Sequence, residues 1–193
     1  MNTHQTQRGY TLLEMMVSIG LFSLVMLLTT AAFLKLISLD RIARGTNDVV
    51  NNLSFAIDTM ERSIRTGRNY QCGGPGGSNC WTPQSPGSAL TFTDENGRTI
   101  TFLRKRDGTI GRCAFASGVS TTCTIDNAVS LTDPRITIET MSFYVRGVGT
   151  APPNDTVQPQ VIFTLSGYMR PDANSDTVDF TIQSQATQRL IEL

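Results

Sequence analysis

The chain has 193 residues, room for one globular domain and an appendage, and its 16 basic and 16 acidic residues cancel. Such a balance leaves no electrostatic footprint for nucleic acid, so no nucleic-acid partner is expected. The single histidine, His4, excludes most imidazole-based catalysis and His-ligated metal sites from the body of the protein. No catalytic group, cofactor or metal is therefore expected.

In chain order, the first feature is an apolar block. Met15 to Leu34 are 20 consecutive uncharged, mostly apolar residues, bounded by Glu14 and Lys35. A helix rises about 1.5 Å per residue, so this stretch predicts a span of roughly 30 Å, the thickness of a bilayer core. Arg8 precedes it, and a short basic start predicts a cytoplasmic N-terminus with the rest of the chain outside. The block is longer than the apolar region of an ordinary secretory signal and begins beside an acid. Thr30-Ala31-Ala32 has the small-residue character of a signal cleavage site, which makes removal after Ala32 the rival reading.

Arg8-Gly9-Tyr10-Thr11-Leu12-Leu13-Glu14 resembles the prepilin peptidase site of type IV pilins and type II secretion pseudopilins. Four elements coincide: Gly, an aromatic, Glu at a fixed offset, and an immediate membrane-length span. The resemblance implies a leader over residues 1–9, cut between Gly9 and Tyr10, with N-methylation of Tyr10. Tyr replaces the usual Phe and keeps the apolar ring. Glu14 becomes the fifth mature residue, and the family's logic pairs it with the N-terminal amine of a neighbouring subunit. Loss of the leader removes His4 and Arg8, leaving one base fewer than the 16 acids. The resemblance also implies the partners: prepilin peptidase, other pilin or pseudopilin subunits, an inner-membrane assembly platform and the lipid bilayer. Independently of the family, a carboxylate in a membrane helix costs about 2.5–3.5 kcal/mol at mid-bilayer and less at the edge. The physics alone permits both a snorkelling interfacial Glu14 and a paired one, since an unpaired acid in lipid can also protonate; the resemblance favours pairing.

No proline interrupts Tyr10 to Thr66, and the helical pattern continues past the span. Ile42, Val49, Val50, Leu53, Ile57, Met60 and Ile64 recur mostly at three- and four-residue steps, the stripe of an amphipathic helix. One helix over residues 10–66 is predicted, membrane-spanning over 15–34, with Thr66-Gly67 as its stop. Gly20 and Gly45 are places for a bend or a close approach. Many major pilins carry a proline in the membrane half; Ala31 occupies that region here.

The remainder, residues 67–193, is predicted to form a globular antiparallel-sheet domain on the second half of the helix. Its cysteines, Cys72, Cys80, Cys113 and Cys123, are even in number and contain no Cys-x-x-Cys, which fits two disulfides in an oxidising compartment better than zinc. The Gly-rich run 73–79 between Cys72 and Cys80 lacks the Lys-Ser/Thr of a phosphate loop and reads as a disulfide-pinned connector. Trp81 is expected to pack over it. From Ala89 the period changes to two. Leu90 and Phe92, then Ile100 and Phe102, then Ile110 form a three-stranded meander turned at Asn96-Gly97 and Asp107-Gly108. Ile136 and Ile138 start a further strand whose phase flips at Met141, Phe143 and Val145, which predicts a bulge near Glu139-Thr140. Val161, Phe163 and Leu165, then Val178, Phe180 and Ile182, supply two more. One sheet on one helix makes an α+β fold.

Asp172, Asn174 and Asp176 have the spacing of a calcium loop, but Thr177 stands where Gly belongs and Gln183 where the distal acid belongs. A polar turn between strands explains them more simply. The stretch from Asp179 to Arg189 is similar to the ends of minor pilins and J-type minor pseudopilins. No cysteine lies near the C-terminus, unlike many major pilins, and Glu14 departs from K-type pseudopilins. The expectation is a minor pilin or pseudopilin, single-pass in the inner membrane and then in a pilus or pseudopilus. A membrane-anchored extracytoplasmic binding domain is the alternative.

Overall fold

The structure is a computed structural model that describes residues 9–73, 80, 86–116, 123–147, 158–171 and 176–189. One helix, α1 (Leu12–Arg65), precedes eight strands: β1 (Arg68–Cys72), β2 (Ala89–Thr93), β3 (Thr99–Arg104), β4 (Ile110–Phe115), β5 (Val129–Ser130), β6 (Ile136–Arg146), β7 (Gln160–Met169) and β8 (Val178–Thr187). The chain divides into two compact units between Arg44 and Gly45. The first unit, among its described residues, holds Gly9 to Thr11 and the first part of α1, through its apolar stretch to Arg44. The second, the head, holds the rest of α1 and all eight strands.

The head has an α+β architecture, as its periodicities predict, but its strands form two antiparallel sheets instead of one. Sheet order is β1-β2-β3-β4-β5 in the first and β6-β7-β8 in the second. The free edge of β4 is taken by the two-residue β5, so β6 cannot extend that sheet. The two sheets are stitched instead by paired bonds between Gly87 and Phe143, at 2.9 and 2.8 Å, and by the Ile138 amide on the Gly108 carbonyl at 2.7 Å.

Both sheets turn an apolar face to the same core. Leu90, Phe92, Ile100, Phe102 and Ile110 come from the first sheet; Ile136, Ile138, Phe143, Phe163 and Leu165 come from the second. Val49, Leu53, Ala56, Met60 and Ile64 of α1 complete it. Of the expected stripe, Ile57 is partly buried against the core, while Val50 is turned outward. It follows Val49 by about 100° around the helix and so leaves the buried line.

The predicted bulge lies where the phase flips. Ile138 pairs with Gly167 and Thr140 with Ser166, so Glu139 is the extra residue. Gly167 belongs to this feature, because a Cβ there would overlap the Thr137 carbonyl oxygen. The two hairpin turns share one construction. The Gly97 amide bonds the Asp94 carbonyl at 3.0 Å, and the Gly108 amide bonds the Lys105 carbonyl at 3.1 Å. Both glycines take positive φ, 75° and 81°, which Cβ-bearing residues resist.

β1 and β5 were not anticipated. β1 alternates at Tyr70 and Cys72, but Asn69 at φ 57° interrupts it, and β5 is too short to show a period. The end of α1 also differs in mechanism from a left-handed glycine cap. Gly67 is not among the positive-φ glycines; it lacks a side chain because a Cβ would overlap the Phe92 ring. The terminal carbonyls are met from β1: the buried Tyr70 hydroxyl lies 2.6 Å from the Ile64 carbonyl and 2.7 Å from that of Gly67. Burial pushes the Tyr70 phenol above its ordinary range, so this donor stays protonated.

Candidate functional site

The candidate site is the start of α1. Gly9 and Tyr10 precede the helix outside any regular element and are exposed, Tyr10 at 78%. Thr11 is the N-cap: its hydroxyl accepts the Glu14 amide at 3.3 Å, and its carbonyl takes the Met15 amide at 3.2 Å. Glu14 is thus the third helical residue, and Thr11-Leu12-Leu13-Glu14 has the Thr-x-x-Glu spacing of a capping box. This role of Thr11 was missed in the sequence reading, although the spacing signals it. The cap, one residue after the aromatic, starts α1 at Leu12 and places the Glu14 carboxylate in the first turn, where the helix dipole favours an anion.

Glu14 is exposed, and among the described residues no partner is recorded for its carboxylate. From Tyr10 to Leu36 every side chain is exposed. Leu12 stands at 79% and Leu27 at 71%. A soluble surface does not carry a patch of this extent without a cover. α1 is long and apolar enough to cross a membrane. The polar groups within the span are satisfied inside the helix: Ser23 donates to the Ile19 carbonyl at 2.8 Å, Thr30 to that of Met26 at 2.8 Å, and Thr29 lies 3.0 Å from those of Val25 and Met26. Such back-bonding removes the penalty of a bare hydroxyl in lipid. Gly20 has open space where a Cβ would be. Gly45, in the head, has the Pro171 carbonyl oxygen 2.7 Å from its Cβ position, so it serves close approach within that unit.

The four cysteines form two bridges, Cys72–Cys80 with Cα atoms 6.3 Å apart and Cys113–Cys123 with Cα atoms 5.9 Å apart. The first ties β1 to Cys80 beside the core. The second closes a small cluster of Leu103, Cys113 and Ala128 on the opposite face of the first sheet. Trp81, His4, Arg8, Asp172 and Asn174 lie outside the described residues; Asp176 is described. Among the described residues no group of three or more His, Cys, Asp or Glu side chains is placed to hold a metal ion.

An exposed apolar helix, capped at Thr11 just after Gly9 and Tyr10 and continuing into an α+β head, is long and apolar enough to anchor the chain in a membrane. Residues 4–30 match the family described as the prokaryotic N-terminal methylation motif. The chain therefore carries the prepilin-type motif, which supports the type IV pilin and type II secretion pseudopilin family, whose members are generally structural. Motif and apolar helix together support processing by prepilin peptidase and single-pass anchoring in the inner membrane. No curated protein and no solved structure matches the chain.

Proposed function

We propose that the protein is a minor pilin or pseudopilin, a structural subunit assembled through α1 into a type IV pilus or type II secretion pseudopilus. The observation that carries this reading is the methylation motif over residues 4–30 set on the start of a helix whose residues 12–36 are all exposed. The leader, residues 1–9, is cut between Gly9 and Tyr10. Tyr10 becomes the methylated N-terminus, and the head lies outside the cytoplasm, where its two disulfides are stable. After cleavage the new amine of one subunit and Glu14 of the next form an ion pair. Helix packing in the filament then covers the apolar surface that lipid covered before. An unpartnered carboxylate near the end of a membrane helix suits this role, since pairing relieves the cost of keeping it charged in lipid.

Mass spectrometry of the mature chain tests the processing step, with a methylated Tyr10 as the expected N-terminus. Retention of Met1, or a start after Ala32, overturns the reading in favour of an ordinary anchor or a secreted domain. Glu14→Ala tests the assembly step. The variant should be inserted and processed as the wild type is, yet enter filaments at least about tenfold less, the effect of losing roughly 1.4 kcal/mol. Normal entry would remove Glu14 from the assembly mechanism.

A further inference from the structure

The head has four sheet edges, and three are blunted. β1 is five residues long, with a register shift between Arg68 and Gln71 and Asn69 at φ 57°. β5 has two residues. The outer edge of β6 is occupied by the bonds to Gly87 and Gly108, and Arg104 Nε donates to its Ile138 carbonyl. β8 differs from all of these. It runs ten residues in unbroken register with β7, from Gln160 opposite Thr187 to Met169 opposite Val178. It contains no proline, lysine, arginine or bulge. Among the described residues its backbone bonds to β7 alone. Proteins ordinarily guard a long regular edge against pairing with other chains, and among the described residues β8 has only Asp179 as a guarding charge and no proline, lysine, bulge or further strand.

The side chains along β8 describe what fits beside it. On the core side Phe180 and Ile182 pack against the head only partly buried, so an added strand would cover their exposed flank. The other face carries the uncharged Thr181, Gln183, Gln185 and Thr187, with one acid, Asp179, near the start. The complement is an extended segment that alternates apolar and uncharged polar residues and sets a base opposite Asp179. A second copy of β8 is a poor occupant. Antiparallel self-pairing is related by a two-fold axis normal to the sheet, so it would set the two copies' 45–65 helical stretches in opposite directions, whereas subunits inserted in one membrane share a direction.

From these observations we infer that β8 is a docking edge that accepts an extended segment of a different, neighbouring subunit, lengthening the second sheet by one strand. The inference rests on the filament-subunit reading above. Its binding comes from main-chain hydrogen bonds, and its selectivity from the apolar flank and Asp179.

The test is residue-resolved amide hydrogen exchange on the full chain, once as the detergent-solubilised subunit and once in assembled filaments. The outward-pointing amides at alternate β8 positions should exchange freely in the first state and at least about tenfold more slowly in the second. A Gln183→Lys, Gln185→Lys double variant should retain its inward amides, paired to β7, and lose the added protection. Asp179→Lys should reduce the added protection several-fold. Wild-type chains that enter filaments with unchanged β8 exchange overturn the docking edge and leave the subunit reading intact. Chains that never enter filaments fail the subunit reading first. Concentration-dependent protection of the solubilised chain alone would make a second copy the occupant and overturn the assignment to a different subunit.

Discussion

Two stretches of α1 make the instructive comparison. Residues 12–39 present Leu12, Leu13, Phe22, Leu27, Leu28 and Leu39 outward on every side. Residues 45–65 bury one line, Val49, Leu53, Ala56, Met60 and Ile64, and carry mostly polar residues elsewhere, with Val50 and Phe55 as exposed exceptions. Backbone hydrogen bonding is the same in both, so what differs is the medium each one is built for. A helix apolar all round needs lipid or other helices about it, whereas an apolar stripe needs a single packing surface. In the first stretch the hydrophobic side chains have their effect outside the isolated subunit; in the second they stabilise the head itself.

The largest effect that would break this contrast is a matched pair of Phe→Ala substitutions. Phe163 is fully buried and Phe22 is 61% exposed. Phe163→Ala should destabilise the head by about 3–5 kcal/mol, while Phe22→Ala should leave head stability within about 0.5 kcal/mol. Denaturant unfolding of the full chain in detergent, followed by a head-specific signal, reads both. Equal effects would show that the two stretches are not energetically separate.

Next in size are the disulfides. The short loop closed by Cys72–Cys80 stabilises by about 2–3 kcal/mol in the chain-entropy model, so Cys72→Ser with Cys80→Ser should lower the head's unfolding midpoint correspondingly. Insertion and processing of the apolar stretch should not change.

The smallest effect is acid sensitivity, and it belongs to the head. At Asp94 burial opposes ionisation, but the amides of Arg98 and Asn96 and the Arg98 guanidinium outweigh it and hold the carboxyl below its ordinary value. The contacts are short, with Asp94 Oδ1 accepting both amides at 2.8 and 2.9 Å and Oδ2 facing Arg98 at 2.8 Å. Asp133 is likewise held low, chiefly by hydrogen bonding from Arg135. A carboxyl depressed on folding contributes stability above its unfolded value, near 4. That contribution disappears as pH falls through the lower folded value. Asp94→Asn should cost about 1 kcal/mol at neutral pH and flatten the loss of stability below about pH 4. An unchanged acid limb in unfolding scans would remove Asp94 from this role.

Much of this architecture is legible without coordinates. The helix expected over 10–66 is observed over Leu12–Arg65, because its period is sustained and proline-free. The strands at Ala89, Thr99, Ile110, Ile136, Gln160 and Val178 and the bulge at Glu139 follow from alternation and its one phase flip. β1 and β5 escaped notice because a period of two cannot be established in a short strand interrupted at Asn69, or in two residues. Gly9, Tyr10 and Glu14 stand out as a local motif, and Thr11 was equally visible through its spacing.

What the sequence by itself determined is therefore whatever acts over neighbouring residues: an apolar helix with a processing motif at its head, an amphipathic continuation, alternating strands and glycine-bearing turns. The tertiary structure alone decided the division into two sheets, the pairing of the cysteines, the reason for Gly67 beneath Phe92 and the open edge of β8. Each of these depends on which distant residues meet across a packed core. Local period and propensity carry no record of such meetings.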